Sequence, residues 1–349
     1  MKIKFLLIPL LFLGCLASSA YAQSQNNNAA RLTEYLERFP ESDANKDGSL
    51  SRQEMQAYNA IRREQQEARD RNRPVPTHAD VAYGDHERHV FDIWLTPSDE
   101  PTPLVIYIHG GGFRGGNKNM NPASLKRFQE AGLSVAAIHY RLSNSGPYPI
   151  MMEDAARCLQ TIRSRAKEWN LDADKVACYG GSAGAGISLW LGFHDDLADP
   201  KSSDPIARQS TRITAAATTN GQSTYDLRTF RKWFGLPNLK NHQALYTFYD
   251  IKDESDWDSK RVKQLMKDAS AITHLTKDDV PVYMTYNRGD VPVDMSTSEG
   301  TWVHHVKLGL KLQEAMEKLG MECTVVSPEH KETKYGSLEA FLITKLTNG

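Results

Sequence analysis

Lys175-Val176-Ala177-Cys178-Tyr179-Gly180-Gly181-Ser182-Ala183-Gly184 is a strand-like apolar run that ends in a G-x-S-x-G turn. That spacing describes a nucleophile elbow. The chain reverses from strand to helix so sharply that only small neighbours fit, and the serine Oγ stays exposed at the top of a sheet. Earlier in the chain Leu104-Val105-Ile106-Tyr107-Ile108 runs into His109-Gly110-Gly111-Gly112. There a second strand ends in glycines, whose amides can approach a developing oxyanion with no Cβ in the way. A lone G-x-S-x-G is weak evidence. Both turns, each after a strand and in this order, are a strong signal.

Outward from these turns, strand patterns cover Val90–Leu95, Leu104–Ile108, Leu133–His139, Lys175–Tyr179, Ile213–Thr218, Val280–Tyr286 and Glu322–Ser327. Helical patterns lie between most of them, at Met151–Glu168, Ala183–His194 and Val303–Leu319. The alternation predicts an α/β fold with a mostly parallel sheet covered by helices on both faces. Residues 220–273 break the rhythm: no strand pattern appears, while Tyr225, Phe230, Trp233, Phe234, Tyr246, Phe248, Tyr249 and Trp257 cluster there. This reads as a cap or insertion over the carboxyl edge of the sheet, where ligands of such sheets bind. Aromatics that merely pack the segment onto the core are the equally weighted alternative.

A serine nucleophile needs a base to take its proton and a carboxylate to orient that base. In the elbow architecture the acid and then the histidine follow later strands. Asp290 comes shortly after the strand at 280–286, and His330 shortly after that at 322–327. Ser182, Asp290 and His330 are therefore the expected catalytic set, with the amides of Gly111, Gly112 and Ala183 as oxyanion donors. Asp294 is the alternative acid. His304 and His305, which open the predicted helix after the acid loop, are the alternative base. His109 is expected to brace the oxyanion loop and to transfer no proton.

From about Val81 onward the chain resembles α/β-hydrolase-fold esterases of the hormone-sensitive-lipase and bacterial feruloyl-esterase-like type. The resemblance rests on Tyr83-Gly84-Asp85, Phe91-Asp92-Ile93-Trp94-Leu95, His109-Gly110-Gly111-Gly112-Phe113 and Tyr140-Arg141-Leu142. The elbow at Ser182 and the turns at Asp290 and His330 complete it. It implies hydrolysis of carboxylic esters, including acetyl and feruloyl groups on polysaccharides, through an acyl-serine intermediate. A short-chain carboxylesterase or lipase is the near alternative, and a non-catalytic, calcium-dependent binding protein on a hydrolase scaffold the distant one.

A separate signal lies upstream. Asp43-Ala44-Asn45-Lys46-Asp47-Gly48-Ser49-Leu50-Ser51-Arg52-Gln53-Glu54 matches an EF-hand loop at each diagnostic position. Asp43, Asn45, Asp47, Ser49 (through its carbonyl), Ser51 and Glu54 would ligate calcium, and Gly48 would permit the sharp turn. The ion is expected to be structural, since catalysis as read above needs no cofactor. Leu32, Leu36 and Phe39 before the loop, and Met55, Tyr58 and Ile61 after it, mark the apolar faces of two flanking helices.

The N-terminus carries Lys2 and Lys4, an apolar run Phe5–Leu16 and Ala20-Tyr21-Ala22 before Gln23. That is the layout of a secretory signal, with lipidation at Cys15 as the alternative processing. The expected organisation is a signal peptide at 1–22, an EF-hand-like helical module at 23–70, a linker at 71–78 and an α/β-hydrolase domain at 79–349. An exported location, periplasmic or secreted, follows, with no transmembrane segment. The formal net charge of −1 gives no electrostatic footprint for nucleic acid. Cys158, Cys178 and Cys323 read as buried free thiols.

Overall fold

The structure of the protein, a computed structural model, describes residues 32–33, 35–36, 39–71 and 74–348. The signal segment, Cys15 and the polar stretch after them lie outside the described residues. The chain divides into two units at Asn72/Arg73.

In the N-terminal unit a 3-10 turn, Pro40–Ser42, leads through the acidic loop into α1 (Arg52–Arg71). The rings of Phe39 and Tyr58 pack 5.8 Å apart, Tyr35 lies against both, and Leu50 is buried beneath the loop. Ile61, expected on the apolar face, is 52 % exposed. At 100° per residue, a stripe spaced by threes has turned roughly 120° between Met55 and Ile61, which carries the last member to solvent.

The second unit is built on eight strands: β1 (His78–Ala82), β2 (Val90–Trp94), β3 (Thr102–Ile108), β4 (Ser134–Ile138), β5 (Leu171–Gly181), β6 (Ala215–Thr219), β7 (Val282–Thr285) and β8 (Cys323–Val326). Their order is β1-β2-β4-β3-β5-β6-β7-β8. β1, β2 and β4 pair antiparallel, and every other neighbour is parallel. All seven strands read from the sequence are present, and β1 is added at the edge. Side chains alternate across the sheet. Leu104, Ile106 and Ile108 join one core with Met151, Leu159 and Ile187, while Val105 joins the other with Phe128, Phe341 and Leu342. Burying each such side chain contributes about 1.5–3 kcal/mol, so both faces must be covered.

Helices α2 (Pro122–Glu130) and α10 (Leu338–Thr347) cover one face, and α3 (Ile150–Ser164) and α4 (Ala183–Phe193) cover the other. All eleven residues of α4 are buried, which fits its apolar, small-residue sequence. The region 220–273 holds only helical elements: α5 (Leu227–Phe234), α6 (Ala244–Phe248), α7 (Lys260–Asp268) and two 3-10 turns. Phe230, Phe248, Tyr249 and Trp257 are buried there. Cys158, Cys178 and Cys323 are buried free thiols.

One departure matters for chemistry. The helix expected over 303–319 is two helices, α8 (Glu299–Val303) and α9 (Lys307–Lys318), and the break between them begins at His304.

Candidate active site

Parallel register places the candidate groups along one edge. Ile108 pairs with Gly180, Gly180 with Thr218, Thr219 with Thr285, and Thr285 with Val326. The segments after β3, β5, β6, β7 and β8 therefore leave the sheet on the same side, at its carboxyl edge.

At the elbow Ser182 has φ +51°, a conformation a non-glycine residue adopts only under constraint. The constraint is visible on both sides. Ser182 N donates to Thr219 O at 3.0 Å, and Gly186 N closes the first helical turn on Ser182 O at 3.1 Å. Close approach accounts for the glycines. A Cβ on Gly184 would lie 2.0 Å from Ile108 O, and one on Gly110 would lie 2.6 Å from Gly181 O. The elbow and the glycine loop after β3 thus touch backbone to backbone. Gly110 meets the elbow directly and is followed by Gly111 and Gly112, while Ala183, next after Ser182, supplies a first-turn amide of α4.

The loop is held from behind by a residue that motif reading passed over. Arg88 Nε donates to Tyr140 O at 2.8 Å and its Nη2 to Gly116 O at 3.1 Å. The same Nη2 lies 3.0 Å from both His109 Nε2 and His139 Nδ1. His109 Nδ1 is 2.8 Å from Gly110 O; a carbonyl only accepts, so Nδ1 carries the proton and Nε2 accepts from Arg88. Tyr140 stacks on the His109 ring at 4.3 Å, and its hydroxyl donates to His109 O. Burial drives the His109 pKa down to about 3, with Arg88 adding to the shift, so this ring is a neutral strut.

The imidazole at the serine is that of His304. Ser182 Oγ lies 2.8 Å from His304 Nε2, and His304 Nδ1 lies 2.9 Å from Gly300 O. By the same donor logic Nδ1 carries the ring proton and Nε2 accepts from the Ser182 hydroxyl. His304 caps the carboxyl end of α8, and its ring folds back one turn onto the Gly300 carbonyl.

The expected base and acid are elsewhere. His330 Nδ1 is 2.9 Å from Ser327 Oγ, and Ser327 N donates to His330 O at 2.9 Å, so the turn after β8 closes on itself. Asp290 is half-exposed; its Oδ1 lies 3.6 Å from His305 Nε2, and its amide donates to Glu329 Oε2. His305, fully buried, donates from Nε2 to Val291 O at 2.8 Å. Asp294 accepts from Ser296 and Thr297 in its own exposed turn. The histidine pair after the acid loop was the sequence signal for His304. Its location at a helix break, which the pattern did not show, is what lets the ring face the serine.

His242 stands beside His304. Its pKa is pushed down to about 4, by burial first and then by His304 and Arg114. Its ring meets Trp302 edge-on at 5.7 Å, and Glu299 Oε2 lies 3.9 Å from its Nε2. Phe248 packs on Phe113 of the glycine loop at 4.4 Å, which ties residues 220–273 to the oxyanion side.

In the N-terminal unit the acidic loop is wound inward. Asp43 Oδ2 accepts from Gly48 N, Asn45 Oδ1 from Asp47 N, and Asp47 Oδ1 from Ser49 N and Oγ. Glu54 Oε2 accepts from Ser51 N and Oγ, while Oε1 reaches back to Asn45 N at 3.4 Å. Lys46 and Gly48 take positive φ, the turn that such a loop requires. Hydrogen bonds from Ser49 and Ser51 hold the Asp47 and Glu54 carboxyls below the usual range. The donor set and its winding fit a calcium ion.

An eight-stranded, mostly parallel sheet with a strained serine elbow and a glycine-rich loop against it defines the class: this is an α/β hydrolase. More narrowly, the chain belongs to the BD-FAE family, whose profile matches residues 91–302. It is similar to the probable carboxylic ester hydrolase LipM of Mycobacterium tuberculosis, 26% identical over 226 residues, 63% of this chain and 50% of that one. It is also similar to the carboxylesterase NlhH of the same organism, 34% identical over 96 residues, 27% of this chain and 30% of that one. The chain thus spans half or less of the length of these curated relatives. Among solved structures, a truncated carbohydrate esterase from gut microbiota superposes with a TM-score of 0.61 at 19% identity, covering 78% of this chain and 96% of that one. An acetyl ester-xyloside bifunctional hydrolase from Caldicellulosiruptor lactoaceticus does so at 0.53 and 19%, covering 75% and 89%. Among the described residues no helix is long and apolar enough to cross a membrane.

Proposed function

We propose that this protein is a serine esterase that hydrolyses carboxylic esters, with Ser182 as nucleophile and His304 as base. The observation that carries it is the 2.8 Å contact between Ser182 Oγ and His304 Nε2 at a strained elbow facing the glycine loop. His304 Nε2 takes the hydroxyl proton as Oγ bonds to the ester carbonyl carbon. The oxyanion is received by the amides of Gly111, Gly112 and Ala183. Collapse expels the alcohol, which leaves with the proton held on His304. Water then gives a proton to His304 and attacks the acyl carbon, and His304 returns that proton to Ser182 Oγ as the acyl–oxygen bond breaks and the carboxylic acid leaves. Throughout, the Gly300 carbonyl holds Nδ1–H and keeps Nε2 aimed at the serine.

Acetyl or feruloyl esters on polysaccharides are the substrate class we favour, and family membership together with a signal-like N-terminus supports a substrate outside the cytoplasm. A calcium ion on Asp43, Asn45, Asp47, the Ser49 carbonyl, Ser51 and Glu54 stabilises the N-terminal unit. The deciding experiment is hydrolysis of a 4-nitrophenyl ester series, from acetate to long chains, by the whole chain beside Ser182→Ala and His304→Ala. Turnover of short chains that vanishes in both variants is expected, with acetylated and feruloylated glycans tested next. Turnover that survives Ser182→Ala sinks the reading. A preference for long acyl chains moves the substrate from glycan esters to lipids.

A further inference from the structure

Away from the serine, at the far end of the nucleophile helix, three metal-ligating side chains converge. His194 caps α4, Asp268 ends α7, and His274 follows the 3-10 turn Ala271–Thr273. One donor atom from each lies within 4.8 Å of the other two. The eleven residues of α4 span about 16 Å, so this cluster is remote from Ser182.

The spacing is unlike an ordinary hydrogen-bonded network. Asp268 Oδ1 stands 3.8 Å from His194 Nε2 and 3.9 Å from His274 Nε2, too far for a hydrogen bond to either. Ligand atoms of a tetrahedral zinc ion stand about 3.3–3.4 Å apart, given bonds of about 2.0–2.1 Å. Each carboxylate–imidazole separation is about half an ångström longer than that, and the three donor atoms all lie within 4.8 Å of one another. The support around the cluster is already built. The other carboxylate oxygen, Asp268 Oδ2, accepts from Tyr148 Oη at 2.5 Å, and Trp190 Nε1 donates to that hydroxyl at 3.2 Å. The His194 ring stacks on Trp190 at 4.1 Å, and its Nδ1 is buried without a hydrogen-bond partner. A carboxylate held from behind by a hydrogen bond in this way is oriented as metal-ligating carboxylates are.

We infer that His194, Asp268 and His274 form a zinc-type divalent metal site that clips the end of the 220–273 segment to the nucleophile helix. Two imidazoles and one carboxylate are a donor set suited to zinc, with water as the fourth ligand. Ligating imidazoles must be unprotonated. His274 Nε2 now lies 2.8 Å from Asp268 O. On binding, the metal takes the Nε2 lone pair, the ring proton resides on Nδ1, and the contact with that carbonyl is given up. The role is structural, because no group of the cluster reaches the serine.

The test is equilibrium dialysis of the chelator-stripped whole chain against zinc, with elemental analysis and a melting curve. It is run in an Asp47→Ala background so that the acidic loop is not counted. One zinc per chain and a raised Tm are expected, with affinity falling at least tenfold in His274→Ala and in His194→Gln. Cobalt should give the intense visible absorption of a four-coordinate site, and His274→Ala should remove it. His274→Gln, which keeps polarity and volume, guards against a folding defect. Zinc binding unchanged in the His274 variants, or no zinc bound by the folded parent, overturns the inference. Ester turnover is a separate readout: a parent that binds zinc yet fails to hydrolyse esters leaves this site standing and removes the esterase reading.

Discussion

Ser182 and His304 meet across 2.8 Å, yet they arrive there by different kinds of backbone. Ser182 is placed locally. A strand, a turn with φ +51° and a fully buried helix leave its side chain one position to occupy. His304 is placed by a remote event, the break of a helix between Val303 and Lys307 on a segment that returns from β7 towards β5. The elbow serine is therefore written in adjacent residues, whereas its imidazole partner depends on which of several histidines a long connection brings round. The same contrast separates the His109 strut, set by the glycine loop it belongs to, from His330, which was drawn onto Ser327 by its own turn.

Substituting the two histidines tests that contrast most sharply. Ser182→Ala and His304→Ala should each lower kcat by roughly four orders of magnitude or more, while His330→Ala should stay within about threefold. A His330→Ala loss as deep as that of His304→Ala, measured on the same 4-nitrophenyl ester, breaks the comparison. The strut is next. Arg88→Met removes the donor that holds His109 and Gly116, and we expect kcat to fall by about tenfold to a hundredfold with KM little changed, less than or equal to losing one oxyanion donor outright. An effect confined to KM would move Arg88 from loop bracing to substrate binding.

The strut also predicts acid lability. Burial keeps His109 neutral in the fold down to about pH 3, whereas the unfolded ring takes up a proton near 6.5. Below 6.5 the unfolded chain binds the extra proton, so stability falls as pH drops from 6.5 towards 3, by about 2 kcal/mol at pH 5 from this group. Denaturant midpoints across that range should show the loss, and His109→Asn should flatten it; an unchanged slope in the variant would show that other groups govern it.

On the acid side, Asp290 lies against His305, so Asp290→Asn should cost about tenfold or less, far below the roughly 10⁴ lost when a triad carboxylate is removed. A loss near that larger figure would return Asp290 to the orienting role. The smallest effect is expected in the N-terminal unit, where calcium should raise Tm by a few degrees and protect α1 from proteolysis, as binding to the folded state alone requires. Asp47→Ala should abolish both, with ester turnover unchanged.

Much of the fold was legible because its signals are periodic and local. Alternating apolar strands such as Leu104–Ile108, each bounded by glycine turns, define a covered parallel sheet whatever the rest of the chain does. The elbow at Ser182 and the glycine turn after β3 were legible for the same reason, since steric demands at 2.0 and 2.6 Å between backbones admit only glycine at Gly184 and Gly110. Arg88 was not, because an arginine in a polar turn carries no pattern until Tyr140 O, Gly116 O and two imidazoles surround it. The cluster at His194, Asp268 and His274 is equally silent, for its members come from the ends of different elements.

The sequence by itself determined the sheet, the elbow, the glycine turn after β3 and the inward-wound acidic loop, all of which follow from short-range sterics and spacing. Only the tertiary structure decided that His304 faces the serine, that Asp290 and His330 do not, and that Arg88 locks the loop. Those choices depend on where long connections come to rest, and their free energy is shared among contacts that no local pattern records.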